Sequence, residues 1–376
     1  MSAENIRLQS VNISFRDEQV LQDIDLAVDD GEFCVIVGPS GCGKSTLLQS
    51  IAGLSEPDSG TVYLNGDPAS SLSVQERNLG YVFQEFEDTL FPHMTVEENV
   101  AFGVRQQDEQ VDEEQLSEEI DEMLDLLAIG DTRDDLPSGL SGGQQQRVEL
   151  ARQLIRGCDT ILLDDPLADL DYKLQKRMEL EIRRIHEELE STFLYVTHNQ
   201  DQALKLADTV VVMNRGRIEQ IGTPSEVYHN PNTAFVANFI GDNNITQAEL
   251  VESDGDAYVA ESDIGRFPVT PAHDADVGET GILGIRPVNV AIGEDAAEKE
   301  TTITATLDGS TYMGDRTEID VRIDGYEPSF YIIVPGKVDP GQYGDEITLG
   351  WDVTDAQFLT DLSVSDTYTI SNILEL

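Results

Sequence analysis

The chain has 376 residues, and 39% of them are apolar, which is enough for two or three packed domains. Its 73 acidic residues outnumber its 23 basic ones, so the formal net charge is −50. This charge excludes nucleic acid as a partner, because a phosphate backbone would be repelled by it. The apolar content argues against a disordered acidic chain and places the charge on folded surfaces.

The acidic excess covers both halves of the chain and resembles that of cytoplasmic proteins from salt-accumulating halophiles. Molar salt shortens the screening length to about 3 Å and so relieves the self-repulsion. The cysteines, Cys34, Cys42 and Cys158, lack the spacing of a zinc site or a disulfide framework. The polar segment from Met1 to Arg16 does not read as a signal peptide, and no apolar run is long enough to cross a membrane. We expect a reducing compartment and no membrane crossing.

The first 240 residues show an α/β pattern. Short apolar runs without alternation predict strands buried on both faces of a parallel sheet, at Phe33 to Val37, Thr160 to Leu163, Phe193 to Thr197 and Val210 to Met213. Apolar residues at three- and four-residue steps predict helices between them, over 116–127 and 174–189. We interpret the very acidic stretch 106–125 as the solvated face of one of these helices.

The pattern changes past Gly241 to short strands separated by turn residues. They are predicted at Tyr258 to Glu261, Gly281 to Arg286, Ile303 to Leu307, Glu318 to Ile323 and Phe330 to Val334. Such spacing predicts a small all-β barrel. We therefore expect one domain over 1–240 and a second over 241–376.

A glycine-rich loop follows the first buried strand and leads into an apolar helix. It consists of Gly38, Pro39, Ser40, Gly41, Cys42, Gly43, Lys44, Ser45 and Thr46. In this strand–turn–helix context the glycines let backbone N–H groups converge on phosphate oxygens at a helix N-terminus. Lys44 would reach the outer phosphates, and the Ser45 hydroxyl would take a Mg²⁺ position.

Two carboxylates end the strand that begins at Thr160. Asp164 and Asp165 stand where a phosphate-loop protein needs an acid for Mg²⁺ and a group that orients water. Asp164 is assigned the metal. An Asp at the end of a strand is often only a turn former, so the pair alone is weak evidence for a site. Its position in the chain relative to the glycine-rich loop strengthens the prediction.

The segment Leu140-Ser141-Gly142-Gly143-Gln144-Gln145-Gln146-Arg147 resembles the signature motif of ATP-binding cassette (ABC) transporter ATPases. Other family motifs surround it in order: an aromatic residue for adenine stacking, a Q-loop glutamine, a D-loop and a switch histidine. These are matched by Phe15, Gln84, Ala168 to Asp171 and His198. The resemblance covers about Ile6 to Gly241 and implies a P-loop cassette with a parallel-sheet core and a helical subdomain at about 88–156.

The resemblance also implies the cofactors and the roles of the residues. ATP with Mg²⁺ would lie on the Lys44 loop, completed across a homodimer by Ser141, Gly142, Gly143 and Gln144 of the second copy. The metal would be held by Ser45, Gln84 and Asp164. Asp165, His198 and Gln84 would manage the attacking water and the γ-phosphate. Asp165 departs from the family, in which a glutamate usually takes this place.

Residues 242–362 resemble the TOBE-type β-barrel extension of import ATPases for polyamines, iron, molybdate, sulfate and sugars. Gly284-Ile285-Arg286-Pro287 carries part of this likeness. The extension could regulate the dimer, support it, or act as a spacer. The implied protein is an importer ATPase, peripheral on the cytoplasmic face of the membrane, bound to two permease subunits and served indirectly by a solute-binding protein.

The junction after Ile240 resembles the polyamine, iron and anion branches more than the sugar branch. We therefore expect a small charged solute of the polyamine, iron or thiamine type. The alternatives are a sugar importer ATPase, a non-transport ABC ATPase, and a regulatory cassette that binds ATP without turning it over.

Overall fold

The computed structural model describes residues 4–16, 18–83, 89–107, 111–168, 170–254, 257–273, 275–326, 329–365 and 368–374. Gln84 and the D-loop residue Asp169 lie outside these residues, and so does most of the segment that follows Gln84. The chain divides into two compact units, Met1–Pro224 and Ser225–Leu376. The functional boundary near Gly241 and the extent of the helical subdomain stay predictions.

The N-terminal unit contains sixteen of the labelled elements. In chain order they are β1 (Glu4–Phe15), β2 (Glu18–Asp29), β3 (Phe33–Val37), α1 (Lys44–Ala52), β4 (Ser59–Leu64), β5 (Asp67–Pro68), β6 (Leu79–Val82), α2 (Val96–Gln107), α3 (Glu113–Leu126), α4 (Gly142–Leu154), β7 (Thr160–Asp164), α5 (Tyr172–Leu189), β8 (Thr192–Thr197), α6 (Gln200–Leu206), β9 (Thr209–Asn214) and β10 (Arg217–Gly222).

Six strands form the central sheet of this unit in the order β10-β9-β3-β8-β7-β6. All neighbours pair parallel except β9 and β10, which form an antiparallel edge. Every residue of β3, β7 and β8 is buried, as expected for strands covered on both faces. The parallel sheet therefore places the carboxyl ends of β3, β7 and β8 side by side.

A second, antiparallel sheet of order β2-β1-β4-β5 packs into the same core as α1. Its core residues include Ile6, Leu26 and Val62, which share a buried cluster with Leu47 and Ile51 of α1. The sequence analysis did not predict this sheet. The reason is that register shifts interrupt the pairing of β1 and β2, so that the alternation of buried residues skips a position between Leu8 and Val11 and is regular in β2 only over Ile24 to Val28.

Helices α2, α3 and α4 pack against one another. Helix α3 begins at an N-cap, Asp112, whose carboxylate accepts the N–H groups of Glu114 and Gln115. It buries only the apolar stripe of Leu116, Ile120 and Leu124. The acidic residues within α3 therefore lie on a solvated helix face, as the charge pattern predicted.

The remaining labelled elements belong to the C-terminal part of the chain. They are α7 (Pro224–His229), α8 (Ala234–Phe239), β11 (Asn244–Asp254), β12 (Ala257–Ser262), β13 (Gly265–Pro271), β14 (Thr280–Ile285), β15 (Ala291–Ile292), α9 (Gly293–Ala296), β16 (Thr301–Tyr312), β17 (Arg316–Arg322), β18 (Phe330–Pro335), β19 (Glu346–Trp351), β20 (Ala356–Leu359) and α10 (Ile370–Leu374).

Five of these strands close a barrel in the order β11-β12-β13-β20-β14, which confirms the predicted small barrel. The other five form a separate sheet of order β15-β19-β16-β17-β18 that the sequence analysis did not distinguish from the barrel. One buried cluster joins both sheets, with Trp351 packed near Phe267 and Phe330. Within the described part of the chain, none of the helices has the length and apolar character that a bilayer crossing requires.

Candidate functional site

The glycine-rich loop connects the end of β3 to the start of α1. A Cβ on Gly38 would overlap the carbonyl oxygen of Met213, so only glycine fits there. Gly41 and Gly43 have φ values of +80° and +103°, in the left-handed region that favours glycine. Because the loop turns in this way, the unpaired N–H groups of the first turn of α1 face an anion-binding concavity.

Lys44 is the first residue of α1, and its ammonium lies over the loop. Its Nζ donates to the carbonyl oxygens of Gly38 at 2.7 Å and Pro39 at 3.0 Å. The loop therefore holds a positive charge beside converging N–H groups. This is the chemistry required to bind a polyphosphate.

Ser45 and Asp164 meet across the cleft between α1 and β7. The Ser45 hydroxyl donates to Asp164 Oδ1 at 3.0 Å. Asp164 is only 4% exposed, and this burial raises the pKa of its carboxyl, while the Ser45 hydroxyl opposes that shift. A hydroxyl and a carboxylate on neighbouring elements offer hard oxygen ligands of the kind that Mg²⁺ prefers. These residues fit a magnesium ion.

Asp165 follows β7 and contacts the switch histidine. Its backbone has a φ of +47°, although it is not glycine, and the residue is 6% exposed. Its Oδ2 lies 2.5 Å from His198 Nδ1, and the Asp165 N–H donates to the carbonyl of Val196 at 2.9 Å. Most of the His198 side chain is exposed. The pair thus joins a buried carboxylate to an imidazole at the mouth of the cleft.

A buried polar network lies behind this pair. The Thr197 hydroxyl lies 3.3 Å from Asp165 Oδ1 and 2.9 Å from Gln202 Oε1, which also accepts from the Tyr195 hydroxyl at 3.0 Å. The sequence analysis named none of these three as site residues. Their signal was their position, directly around His198 at the end of an apolar strand and in the first turn of the following helix.

A cleft of about 320 Å³ lies between the glycine-rich loop, the two aspartates and His198. Its described lining comprises Val20, Ser40, Gly41, Gly43, Lys44, Ser45, Thr46, Asp164, Asp165, Val196 and His198. The structure thus brings together the phosphate loop, both aspartates and the switch histidine. Phe15 is not part of this lining, and it lies at the end of β1 with 49% of its surface exposed. Its adenine-stacking role stays a prediction.

The signature residues stand apart from the cleft, at the start of α4. Ser141 is the N-cap of this helix and forms a capping box with Gln144, whose side chain accepts the Ser141 N–H at 2.9 Å. Ser141 and Gly142 are exposed. The box fixes the start of α4 while its first N–H groups remain at the surface.

Helix α4 also binds Thr89, the first described residue after the Q-loop segment. Thr89 donates its hydroxyl to Glu149 Oε2 at 2.6 Å, and its carbonyl accepts from Arg152 at 2.9 Å. Glu149 is completely buried, which raises the pKa of its carboxyl. One helix therefore carries the signature motif at its start and anchors Thr89 further along.

Comparison with known proteins identifies two family domains and relatives that align with most of this chain. The ABC transporter domain matches residues 21–168, and the TOBE domain matches residues 283–359. The spermidine/putrescine import ATP-binding protein PotA of Thermobifida fusca is 39% identical over 92% of this chain and 91% of its own length. PotA of Thermotoga maritima is 36% identical over 95% of this chain and 98% of its own length.

A solved structure extends the comparison to the arrangement of the cassette. It is a dimeric ATP-binding cassette in a post-hydrolysis state with bound ADP and Pi, which is 29% identical to this chain. It aligns with a TM-score of 0.53 over 58% of this chain and 98% of its own length. The predicted P-loop cassette fold is thereby confirmed.

Proposed function

The chain belongs to the ABC transporter family of ATP-binding subunits with a C-terminal TOBE domain, and on that premise we propose that it hydrolyses ATP to drive import of a small polyamine. The observation that carries this proposal is the meeting of Lys44, Ser45, Asp164, Asp165 and His198 in one cleft. The cassette would occupy residues 1–240, with its helical subdomain at about 88–156, and the TOBE barrel residues 241–376.

The loop residues bind and orient the triphosphate. Lys44 exchanges its bonds to the carbonyls of Gly38 and Pro39 for the outer phosphates, and the first-turn N–H groups of α1 complete the cradle. Ser45 and Asp164 would hold Mg²⁺, and the family resemblance adds Gln84, which lies outside the described residues. Magnesium, when bound, neutralises charge that develops on the phosphate oxygens.

The carboxylate of Asp165 orients the attacking water and accepts its proton. His198 contacts the same carboxylate through Nδ1 at 2.5 Å. Its other ring nitrogen can then form a hydrogen bond with the γ-phosphate. The burial of Asp165 keeps bulk water away from the second carboxylate oxygen. Hydrolysis thus depends on a pair of side chains that two adjacent strand ends bring together.

A second copy of the chain completes the site. Ser141, Gly142, Gly143 and Gln144 are outside the cleft of their own chain, yet they form an exposed, capped helix start at which the capping box does not use the N–H groups of Gly142 and Gly143. Such a helix start binds phosphate oxygens by the same physics as the Lys44 loop. In a head-to-tail homodimer these groups reach the partner's γ-phosphate, so closure depends on that phosphate and is lost on hydrolysis.

The remaining partners follow from the proposed importer role. Two permease subunits would form the channel, this subunit would bind them on the cytoplasmic face of the membrane, and a solute-binding protein would deliver the cargo. Both PotA relatives described above are named for spermidine and putrescine import. Their alignment over nearly the whole of this chain favours a polyamine over the iron, thiamine and sugar alternatives.

Reconstitution with its permease and solute-binding protein tests the proposal. We expect spermidine or putrescine to stimulate ATP hydrolysis, and the variant Lys44→Ala to abolish it, because the outer phosphates would lose their positive partner. The fold should survive, since the Lys44 ammonium bonds atoms of its own loop, the carbonyls of Gly38 and Pro39 and the sulfur of Cys42. Stimulation by maltodextrins alone would reject the polyamine assignment. Normal turnover by Lys44→Ala would reject the site.

A further inference from the structure

The hydroxyl of Thr197 occupies an unusual place at the end of β8. Thr197 is fully buried, and its Oγ1 contacts three groups: Asp165 Oδ1 at 3.3 Å, Gln202 Oε1 at 2.9 Å, and the N–H of Asn199, which it accepts at 3.1 Å. One atom therefore touches the buried carboxylate, the residue after the switch histidine and the first turn of α6.

The rotamer of Thr197 is fixed from behind by Gln202. This glutamine is 1% exposed, and its Oε1 accepts from the Tyr195 hydroxyl and from the Thr197 hydroxyl, whose single proton is shared between Gln202 Oε1 and Asp165 Oδ1. Its own backbone N–H is accepted by the side chain of Asn199 at 3.2 Å, the N-cap of α6. Since buried hydrogen-bonding groups are costly to leave unpaired, this network holds Thr197 in a single orientation.

The geometry couples the network to the two residues assigned to hydrolysis. Asp165 has His198 on one carboxylate oxygen and Thr197 on the other. His198 itself lies between Thr197 and Asn199 in the chain, and the turn that carries it is tied by the bond from the Asn199 N–H to Thr197. A shift of the Thr197 hydroxyl would therefore displace both partners of the pair.

We propose that Thr197 and Gln202 are positioning residues for ATP hydrolysis, which fix the Asp165–His198 pair in its working geometry. This inference rests on the proposed roles of Asp165 and His198. Neither Thr197 nor Gln202 lines the described cleft, so they act through that pair and not on nucleotide binding. Misplacements of about 1 Å cost up to roughly 10²-fold in rate, so small shifts suffice.

The test replaces the Thr197 hydroxyl by a methyl group while keeping the shape of the side chain. In the full-length chain, Thr197→Val should lower kcat for ATP at least about tenfold with KM within roughly twofold, and Thr197→Ser should restore most of the rate. Gln202→Met should lower kcat in the same way. The control is Thr160→Val, another buried threonine, whose hydroxyl bonds Asn5 at the opposite end of β7. It should keep the native kcat.

The outcomes separate this inference from the proposed site. Native kcat in Thr197→Val, with activity lost in Asp165→Asn, overturns the inference alone. Native kcat in Asp165→Asn overturns the role of Asp165 and the inference with it. Should Thr197→Val fail to fold, native kcat in Gln202→Met overturns the inference. A fall in kcat in Thr160→Val equal to that in Thr197→Val would also overturn it, because the effect would then be a general loss of packing.

Discussion

Asp165 offers the sharpest test of the hydrolytic site, through the pair of variants Asp165→Asn and Asp165→Glu. The asparagine keeps the shape of the side chain and removes its charge, so it cannot accept a proton from water. General-base catalysis contributes about 10²- to 10⁴-fold, and we expect a loss of single-turnover rate in that range. The ATP-bound dimer should then accumulate.

The glutamate variant tests the length of the side chain. One more methylene extends the carboxylate by about 1.5 Å. The 2.5 Å contact with His198 leaves no room toward the imidazole, but that ring is mostly exposed and can yield, so the longer side chain can extend into the cleft. A carboxylate that reaches nearer to the water should raise the rate up to about tenfold.

Single-turnover hydrolysis with prebound ATP measures both variants without interference from product release. A thermal melt of each variant controls for folding, since the residue is buried and its contacts with Thr197 and Val196 contribute to stability. Equal rates for aspartate, asparagine and glutamate at this position would refute the argument. His198 would then be the next residue to test as the water-positioning group.

Two further predictions concern stability. The melting temperature should rise from dilute buffer to molar KCl, because added cations screen the repulsion of a −50 charge; a flat or falling curve would contradict the halophile interpretation. Burial raises the pKa of the Glu149 carboxyl in the folded chain. The contribution of Glu149 to the free energy of unfolding is therefore fully present below the ordinary carboxyl pKa of about 4.3, and it is lost as pH rises through the raised pKa. Glu149→Gln should therefore gain stability relative to the native chain as pH increases from about 4 to 7. The exposed Glu113, whose pKa the Arg105 side chain lowers, gives the control, since Glu113→Gln should show the opposite slope; slopes of the same sign would contradict the reasoning.

Much of the central sheet could be predicted because its strands are buried on both faces. The run Phe33 to Val37 matches β3 residue for residue, and Val210 to Met213 lies within β9. Uninterrupted apolar residues leave little ambiguity when glycine and aspartate bound them. The antiparallel sheet at the N-terminus was missed because its bulges hide the alternation, and the second C-terminal sheet because strand assignment does not tell which strands pair.

The site residues also include some that the sequence predicted and some that it did not. Local sequence motifs identified the phosphate loop, Asp164, Asp165 and His198 as site residues. The structure brings these residues together in one cleft. Thr197 and Gln202 could not be recognised, since a threonine and a glutamine carry no distinctive chemistry until folding buries them around one carboxylate. Pairing of side chains on adjacent elements is a property of the fold and not of any one segment.

Because the backbone of Asp165 is left-handed, stability and turnover favour different residues at this position. A φ of +47° costs a residue with a Cβ about 1 kcal/mol, and glycine would remove that strain. Glycine, however, has no carboxylate to offer to water. Glycine would also lose the buried contacts with Thr197 and His198, whereas asparagine tolerates this backbone and keeps the shape of the side chain. Selection for stability alone would therefore favour Asp165→Asn, while selection for turnover retains the aspartate. Stabilised versions of this chain obtained without an activity screen should therefore accumulate inactive substitutions at this position.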